Sequence, residues 1–201
     1  MSAGVASRAA RLDELRRGAC SCRACPLWKG ATQTVFGEGP LDAHIMLVGE
    51  QPGDQEDKQG HPFVGPAGRV LDQALELAGI DRSTLFSTNA VKHFKYRMRG
   101  KRRIHQRPNA GEVAACRRWL ECEVELVEPD VLVALGATAA QSLMGKTVAI
   151  GATRGQMVES PIFDPPVLVT THPSSVLRER DRESRREALQ SLARDLRVVA
   201  E

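Results

Sequence analysis

The residues of this chain that can do chemistry sit in short stretches: CRAC (22–25), GEQPG (49–53), TNAVKH (88–93), GKRRIHQRP (100–108) and THPSS (171–175). GEQPG puts Glu50 and Gln51 on a tight turn, where glycine lets the backbone come close to a ligand. TNAVKH and THPSS add an amide, Asn89, and an imidazole, His172. An amide donates and accepts at once, which is what reading a nucleobase edge requires. HPFVGPAG (61–68) adds the aromatic face of Phe63 beside the same turn. A base slotted against an aromatic ring and held by an amide is the logic of a flipped-base pocket. The plainer alternatives are a surface turn with incidental polar residues for GEQPG and, for His172, an imidazole satisfying backbone groups at a strand end. His44 and His61 have no such company and read as ordinary histidines.

GKRRIHQRP holds Lys101, Arg102, Arg103 and Arg107 around His105, with no acid among them. No Asp or Glu occurs from Arg82 to Gly111, while Lys92 to Arg107 contains eight Lys or Arg, with Phe94 and Tyr96 among them. Such a patch attracts polyanions and makes their binding salt-dependent. A mobile, solvated loop is the plainer reading of the same charges.

The five cysteines are Cys20, Cys22, Cys25, Cys116 and Cys122. The odd count and an expected reducing compartment argue against a disulfide framework and for metal or cluster binding. The spacing of Cys22 and Cys25 suits a redox pair, half a zinc site or half an iron–sulfur site. A redox pair would normally sit between the strand and helix of its own βαβ unit, and this one does not. Partners farther along are Cys116, on a predicted helix, and His93, just past a strand end. Cys122 follows Cys116 by six residues, so it faces elsewhere and reads as a small buried apolar residue. MGKT (144–147) is not a phosphate-binding loop, because Ala140 stands where the first glycine is needed and the stretch follows a helix.

The elements that must position these residues alternate. HIMLVGE (44–50), LFSTNAVK (85–92), VLVALG (131–136) and VLVTTHP (167–173) read as buried strands, with GQMVE (155–159) as a small edge strand. Helical spacing covers 7–18, 66–80, 110–127, 137–144 and 182–199, with Pro66 and Gly79 marking the two ends of the second. The basic segment between the second strand and the 110–127 helix is read as a loop. Strands alternating with helices predict an α/β fold, a three-layer αβα arrangement around a mostly parallel four-stranded sheet. In such a sheet ligands bind beyond the carboxyl ends of the strands, where GEQPG, TNAVKH, LGAT (135–138) and THPSS fall.

With 201 residues, 42% hydrophobic and 26% charged, the chain is expected to form one domain over 1–201. That domain would carry a cysteine-containing metal or cluster segment at about 18–30 and a basic loop insertion at about 95–108. No apolar run is long enough to cross a bilayer and no signal-type segment follows the start, so a cytoplasmic protein is expected. A formal net charge of +3 makes the chain only locally basic.

Taken in order, GEQPG, FVGPAGR (63–69), TNAVKH, ACRRWL (115–120), LGATAA (135–140) and THPSS resemble the family 4 uracil-DNA glycosylases over nearly the whole chain, from about Cys22 to the C-terminal helix. The chain departs from that family at His93, where the family usually has cysteine, and in KRRIH (101–105), an insertion the family lacks. Both departures resemble the UdgX branch, whose members excise uracil and stay covalently attached to DNA through the histidine of that loop. The resemblance implies a 4Fe–4S cluster held by Cys22, Cys25, His93 and Cys116; structural zinc fits the same residues, and Cys20 is an alternative first ligand. It implies that Phe63 stacks on uracil, that Asn89 pairs with its polar edge, and that Gln51 and the turn around Asp54 close on base and sugar. His172 would donate to the carbonyl that gains charge as the bond breaks. His105 would attack C1′, with Glu50 taking its proton and orienting the ring. Lys101, Arg102 and Arg103 would anchor the loop on phosphate or on acids such as Asp57. Ser174 and the segment to Leu177 would press into the strand beside the flipped nucleotide, with Val176 or Leu177 as the wedge. The implied partner is uracil-containing DNA, single- or double-stranded, bound by a monomer away from any membrane. The alternatives are a conventional multiple-turnover glycosylase, a non-catalytic module for damaged or single-stranded DNA, and an electron carrier.

Overall fold

The computed structural model describes residues 3–200. In chain order the main elements are α1 (Ala3–Cys20), β1 (Ile45–Gly49), α2 (Asp54–Gln59), α3 (Pro66–Ala78), β2 (Phe86–Asn89), β3 (Tyr96–Arg99) and β4 (Arg102–His105). They continue with α4 (Ala110–Val127), β5 (Val131–Leu135), α5 (Ala137–Met144), α6 (Ile150–Thr153), β6 (Gln156–Val158), β7 (Val167–Thr170), α7 (Ser174–Arg178) and α8 (Arg182–Arg197).

The main sheet runs β2-β1-β5-β7-β6, parallel throughout except for the β6 edge. To the four main strands it adds the expected small edge strand, since the segment at 156–158 pairs antiparallel with β7 and extends the sheet to five. Residues alternate between its two faces, as the pleat requires. Met46, Val48, Leu132 and Ala134 pack with Leu120, Val124 and Val127 of α4 and with Ala139, Ala140 and Leu143 of α5. Leu47, Val133, Leu135 and Leu168 pack on the opposite side against Leu71 and Leu75 of α3 and Leu192 and Leu196 of α8. Helices thus cover both faces, which is why the strands read as continuous apolar runs. A third cluster joins Leu12, Leu15 and Ala19 of α1 to Val113, Cys116 and Trp119 of α4.

From β1 the chain first builds β2 on one side and later β5 on the other. That reversal opens a crevice at the carboxyl ends of β1 and β5, the place where such sheets bind ligands. The ends of β2, β1, β5 and β7 carry Asn89, Glu50, Thr138 and His172 across one edge.

The segment expected to be a loop after β2 is an antiparallel hairpin. Tyr96 pairs with His105, Arg97 with Ile104, Met98 with Arg103 and Arg99 with Arg102. Gly100, at φ 60, begins the two-residue turn with Lys101, a conformation other residues adopt at a cost. The pairing sorts side chains: Tyr96, Met98, Arg103 and His105 share one face, and Arg97, Arg99, Arg102 and Ile104 the other. No helix among the described residues is long and apolar enough to cross a membrane.

Candidate active site

The register of β1 and β2 sets Gly49 opposite Asn89. A Cβ on Gly49 would stand 2.3 Å from Asn89 Oδ1 and 2.7 Å from Phe63 Cζ. Only glycine there lets the amide and the aromatic ring close on one point. Among the described residues Asn89's amide makes no hydrogen bond within the protein, which leaves it to a ligand. Phe63 is held in the left-handed region at φ 56, a conformation uncommon for a bulky residue and typical of functional sites. Glu56 supports it: one carboxylate oxygen accepts from Gly53 N and the other from Gly65 N at 2.7 Å, joining the GEQPG turn to the loop that carries Phe63. The Arg82 guanidinium lies 5.9 Å from the Phe63 ring centroid.

Glu50 sits where the hairpin meets the sheet. Its Oε1 lies 3.2 Å from His105 Nε2, and its Oε2 accepts from the Thr138 hydroxyl. Burial alone would raise the Glu50 carboxyl. Hydrogen bonds from His105 and Thr138, with the charges of His105 and His172, outweigh burial and hold its pKa below the ordinary value. His172 is pushed down to about 4, chiefly by burial, which Glu50 only partly offsets. The ring is therefore neutral at pH 7. Its Nδ1 accepts from Ser174 N at 3.1 Å, so the ring proton belongs on Nε2 and can be donated outward. Ser174 thus orients His172, and does not stand free to touch DNA as expected.

The other expected site residues divide. Gln51 is buried, and its amide holds the hairpin base: Nε2 donates to Lys95 O and Gln106 O, and Oε1 accepts from Lys95 N at 3.0 Å. An amide carries the same donor and acceptor as a peptide group, so Gln51 serves the backbone here instead of closing on a base. Asp54 and Asp57 likewise serve the hairpin. Arg103 Nε donates to Asp54 Oδ1 and Nη1 to Asp57 Oδ2, both at 2.6 Å, so Arg103 is an internal anchor, as expected for Asp57, and not a phosphate contact. Lys101 and Arg102 are exposed. Val176 is buried in the core and cannot be a wedge, while Leu177 is 42% exposed. His44 and His61 pair with Asp130 and Glu38 at the surface.

The cysteine segment packs under the hairpin: the Tyr96 hydroxyl donates to Gly30 O at 2.9 Å. Cys22 and Cys25 lie against the cluster that contains Cys116, while Cys20 is exposed. Burial pushes the Cys116 thiol up to about 11, partly offset by Lys92, whose backbone N–H donates to Cys116 Sγ at 3.3 Å. His93 Nε2 meets Thr34 Oγ1 at 2.9 Å, and Thr34 donates its own proton to Ala19 O. The imidazole is then the donor to Thr34, and its Nδ1 lone pair is left open. Burial lowers the pKa of His93, which favours the neutral ring. Among the described residues no three Cys, His, Asp or Glu side chains converge closely enough to hold a single metal ion.

Several contributing residues gave little sign in the sequence. Glu56 stands three residues after Gly53, a spacing that suggests a capping box and would have drawn attention to it. Thr138 gave no signal beyond its place at a strand end. Lys92, counted among the basic patch, is buried against Glu123 at 2.6 Å and contributes nothing to the surface.

Asn89, Phe63, Glu50, His105 and His172 thus stand around one α/β crevice at the carboxyl edge of the sheet. The family model of the uracil DNA glycosylase superfamily matches residues 36–197. The chain is 41% identical over 172 residues to a type-4 uracil-DNA glycosylase of Thermotoga maritima, covering 85% of each chain. It is 34% identical to one of Pyrobaculum aerophilum, over 84% of this chain and 85% of that one. One from Archaeoglobus fulgidus is 35% identical over 83% of each. The chain belongs to the uracil DNA glycosylase superfamily.

Proposed function

We propose that this chain is a uracil-DNA glycosylase of the UdgX type, which removes uracil from DNA and then captures the abasic sugar through His105. The observation that carries the reading is the 3.2 Å approach of His105 Nε2 to Glu50 Oε1, delivered by a hairpin tied to the body at Arg103 and Gln51. A solvated basic loop needs neither tie.

In this reading the uracil ring lies against Phe63 and its polar edge meets Asn89. The bond between C1′ and the base breaks with its electron pair leaving on uracil. His172 Nε2–H donates to the carbonyl oxygen that takes up the charge, and a neutral donor held in place does this without reorganisation. C1′ is left electron-poor. One His105 nitrogen faces Glu50, and the lone pair of the other forms the new bond to C1′. The ring becomes cationic, and Glu50, held ionised, stabilises it as a carboxylate does for a catalytic imidazolium; the ring proton then passes to water. Held beside C1′, an imidazole competes with water through its effective concentration. The product has no evident hydrolytic exit, so turnover stops at one.

We assign Cys22, Cys25, His93 and Cys116 as ligands of a 4Fe–4S cluster. Cys22 and Cys25 packed against the cluster of Cys116, an imidazole with one nitrogen open and an N–H donor on Cys116 suit thiolate-rich ligation. Structural zinc is the alternative on the same four residues. When bound, such a group would join the cysteine segment to the loop after β2 and so support the hairpin above it.

The proposal is tested by mixing the protein with an oligonucleotide carrying one uracil and analysing the products under denaturing conditions. A uracil-dependent species of summed mass supports covalent capture. Free protein with an abasic oligonucleotide would instead establish the conventional glycosylase. The names of the relatives favour neither outcome over the other.

A further inference from the structure

Thr138 lies at the start of α5, 2% exposed, and none of its contacts is to a group that would touch substrate except through Glu50. Its hydroxyl meets two neighbours. Arg107 Nε donates to Thr138 Oγ1 at 3.1 Å, and Thr138 Oγ1 donates to Glu50 Oε2. Arg107 can only donate, so it fixes which way the single hydroxyl proton points. With Oε2 engaged, Oε1 is the oxygen left for His105. Arg107 also pairs with Glu50 at long range, its Nε 4.0 Å from Oε2 across the Thr138 hydroxyl that lies between them. The groups facing Glu50 are thus His105 and Arg107 from the hairpin and its exit, Thr138 from α5, and His172 from beyond β7.

We propose that Thr138 is a positioning residue that divides the two oxygens of Glu50, holding one so that the other meets His105, with Arg107 setting the direction of the Thr138 proton. The inference rests on the role given above to the Glu50–His105 pair. Without the hydroxyl, the carboxylate is free to turn toward Arg107, and the imidazole loses its partner.

The test compares Thr138→Val, which keeps the shape and removes the donor, with Thr138→Ser, which keeps the donor. Glu50 titration is followed by carbon NMR of its side-chain carboxyl in the full chain without DNA, and adduct formation by single-turnover kinetics. In Thr138→Val the Glu50 midpoint moves up relative to the unsubstituted protein, because a hydrogen bond that lowered it is gone. The adduct forms about tenfold more slowly or worse, the usual effect of losing a hydrogen bond to a charged group, while affinity for uracil-containing DNA is kept. Thr138→Ser restores both. Equal behaviour of the two variants, or an unmoved Glu50 midpoint in Thr138→Val, would overturn the inference. The titration needs no DNA, so it decides the role of Thr138 even if the unsubstituted protein forms no adduct, a result that would count against the proposed function instead.

Discussion

His105 and His172 are given different tasks by their surroundings. His105 is half open beside a carboxylate, and His172 is held neutral by burial with its Nδ1 occupied. We predict that His105→Ala abolishes the covalent product and leaves measurable uracil release, since water then reaches C1′. A surviving adduct would show that another nucleophile acts. His172→Ala should slow uracil release by about a hundredfold or more, as loss of a charge-stabilising donor does. The sign of the pH effect follows from the depressed pKa of His172. Between about pH 4 and the ordinary histidine value near 6.5 the unfolded chain binds a proton that the folded chain does not. Stability should therefore fall as pH drops through that window, and thermal melts from pH 7 to pH 4 would detect it. In His105→Gly, uracil release should be flat between about pH 6 and pH 8, because His172 stays neutral there. Glu50, Asn89, His105 and His172 were legible in the sequence because each stands at a strand end or in an acid-free stretch. The direction of Gln51 was not, because one amide satisfies a peptide group as well as a base. Thr138 was hidden because its partners, Glu50 and Arg107, lie far from it in the chain and only the fold brings them together.

The hairpin is the element on which the proposed chemistry depends. It is held by Arg103 on Asp54 and Asp57, by the Gln51 amide across its base, and by Tyr96 on Gly30. Asp57 is fully buried, so Arg103→Ala would leave an unpaired charge, at a cost of about 3–5 kcal/mol. The expected outcome is faster hydrogen exchange in β3 and β4 and slower adduct formation, with uracil release less affected. Equal losses of both activities would mean that the anchor supports the whole pocket. The hairpin escaped the sequence reading for a definite reason. Its strands are four residues each and carry Arg97, Arg99, Arg102 and Arg103, so the alternation of Tyr96 and Met98 with arginine is too short to stand out from a charge run. Gly100 at the turn was the one local sign. By contrast, α4 and α5 matched their expected spans because their apolar residues recur at helical spacing against the sheet. The fifth strand was visible only as an edge, since three residues give no period to count.

For the whole molecule, the charge pattern read from sequence overstated the open basic surface. Lys92 pairs with Glu123, Lys95 with Glu112 and Arg103 with Asp54 and Asp57, and those acids lie far away in the chain. Arg97, Arg99, Lys101 and Arg102 remain exposed. The crevice at the carboxyl edge was legible because alternating strands and helices leave few topologies. The cysteine segment packs against the same frame at Cys116 of α4, and the proposed cluster would add His93 after β2. We predict that the protein as isolated contains about four irons and matching sulfide, and that Cys116→Ala loses both together with thermal stability. Stoichiometric zinc without iron would contradict the assignment. The central claim is capture, and the most direct measurement is a denaturing gel of the protein incubated with an oligonucleotide carrying a single uracil. The account predicts a band at the summed mass that survives boiling in detergent, requires uracil and is absent with His105→Ala. Free protein beside an abasic, alkali-labile strand would contradict it.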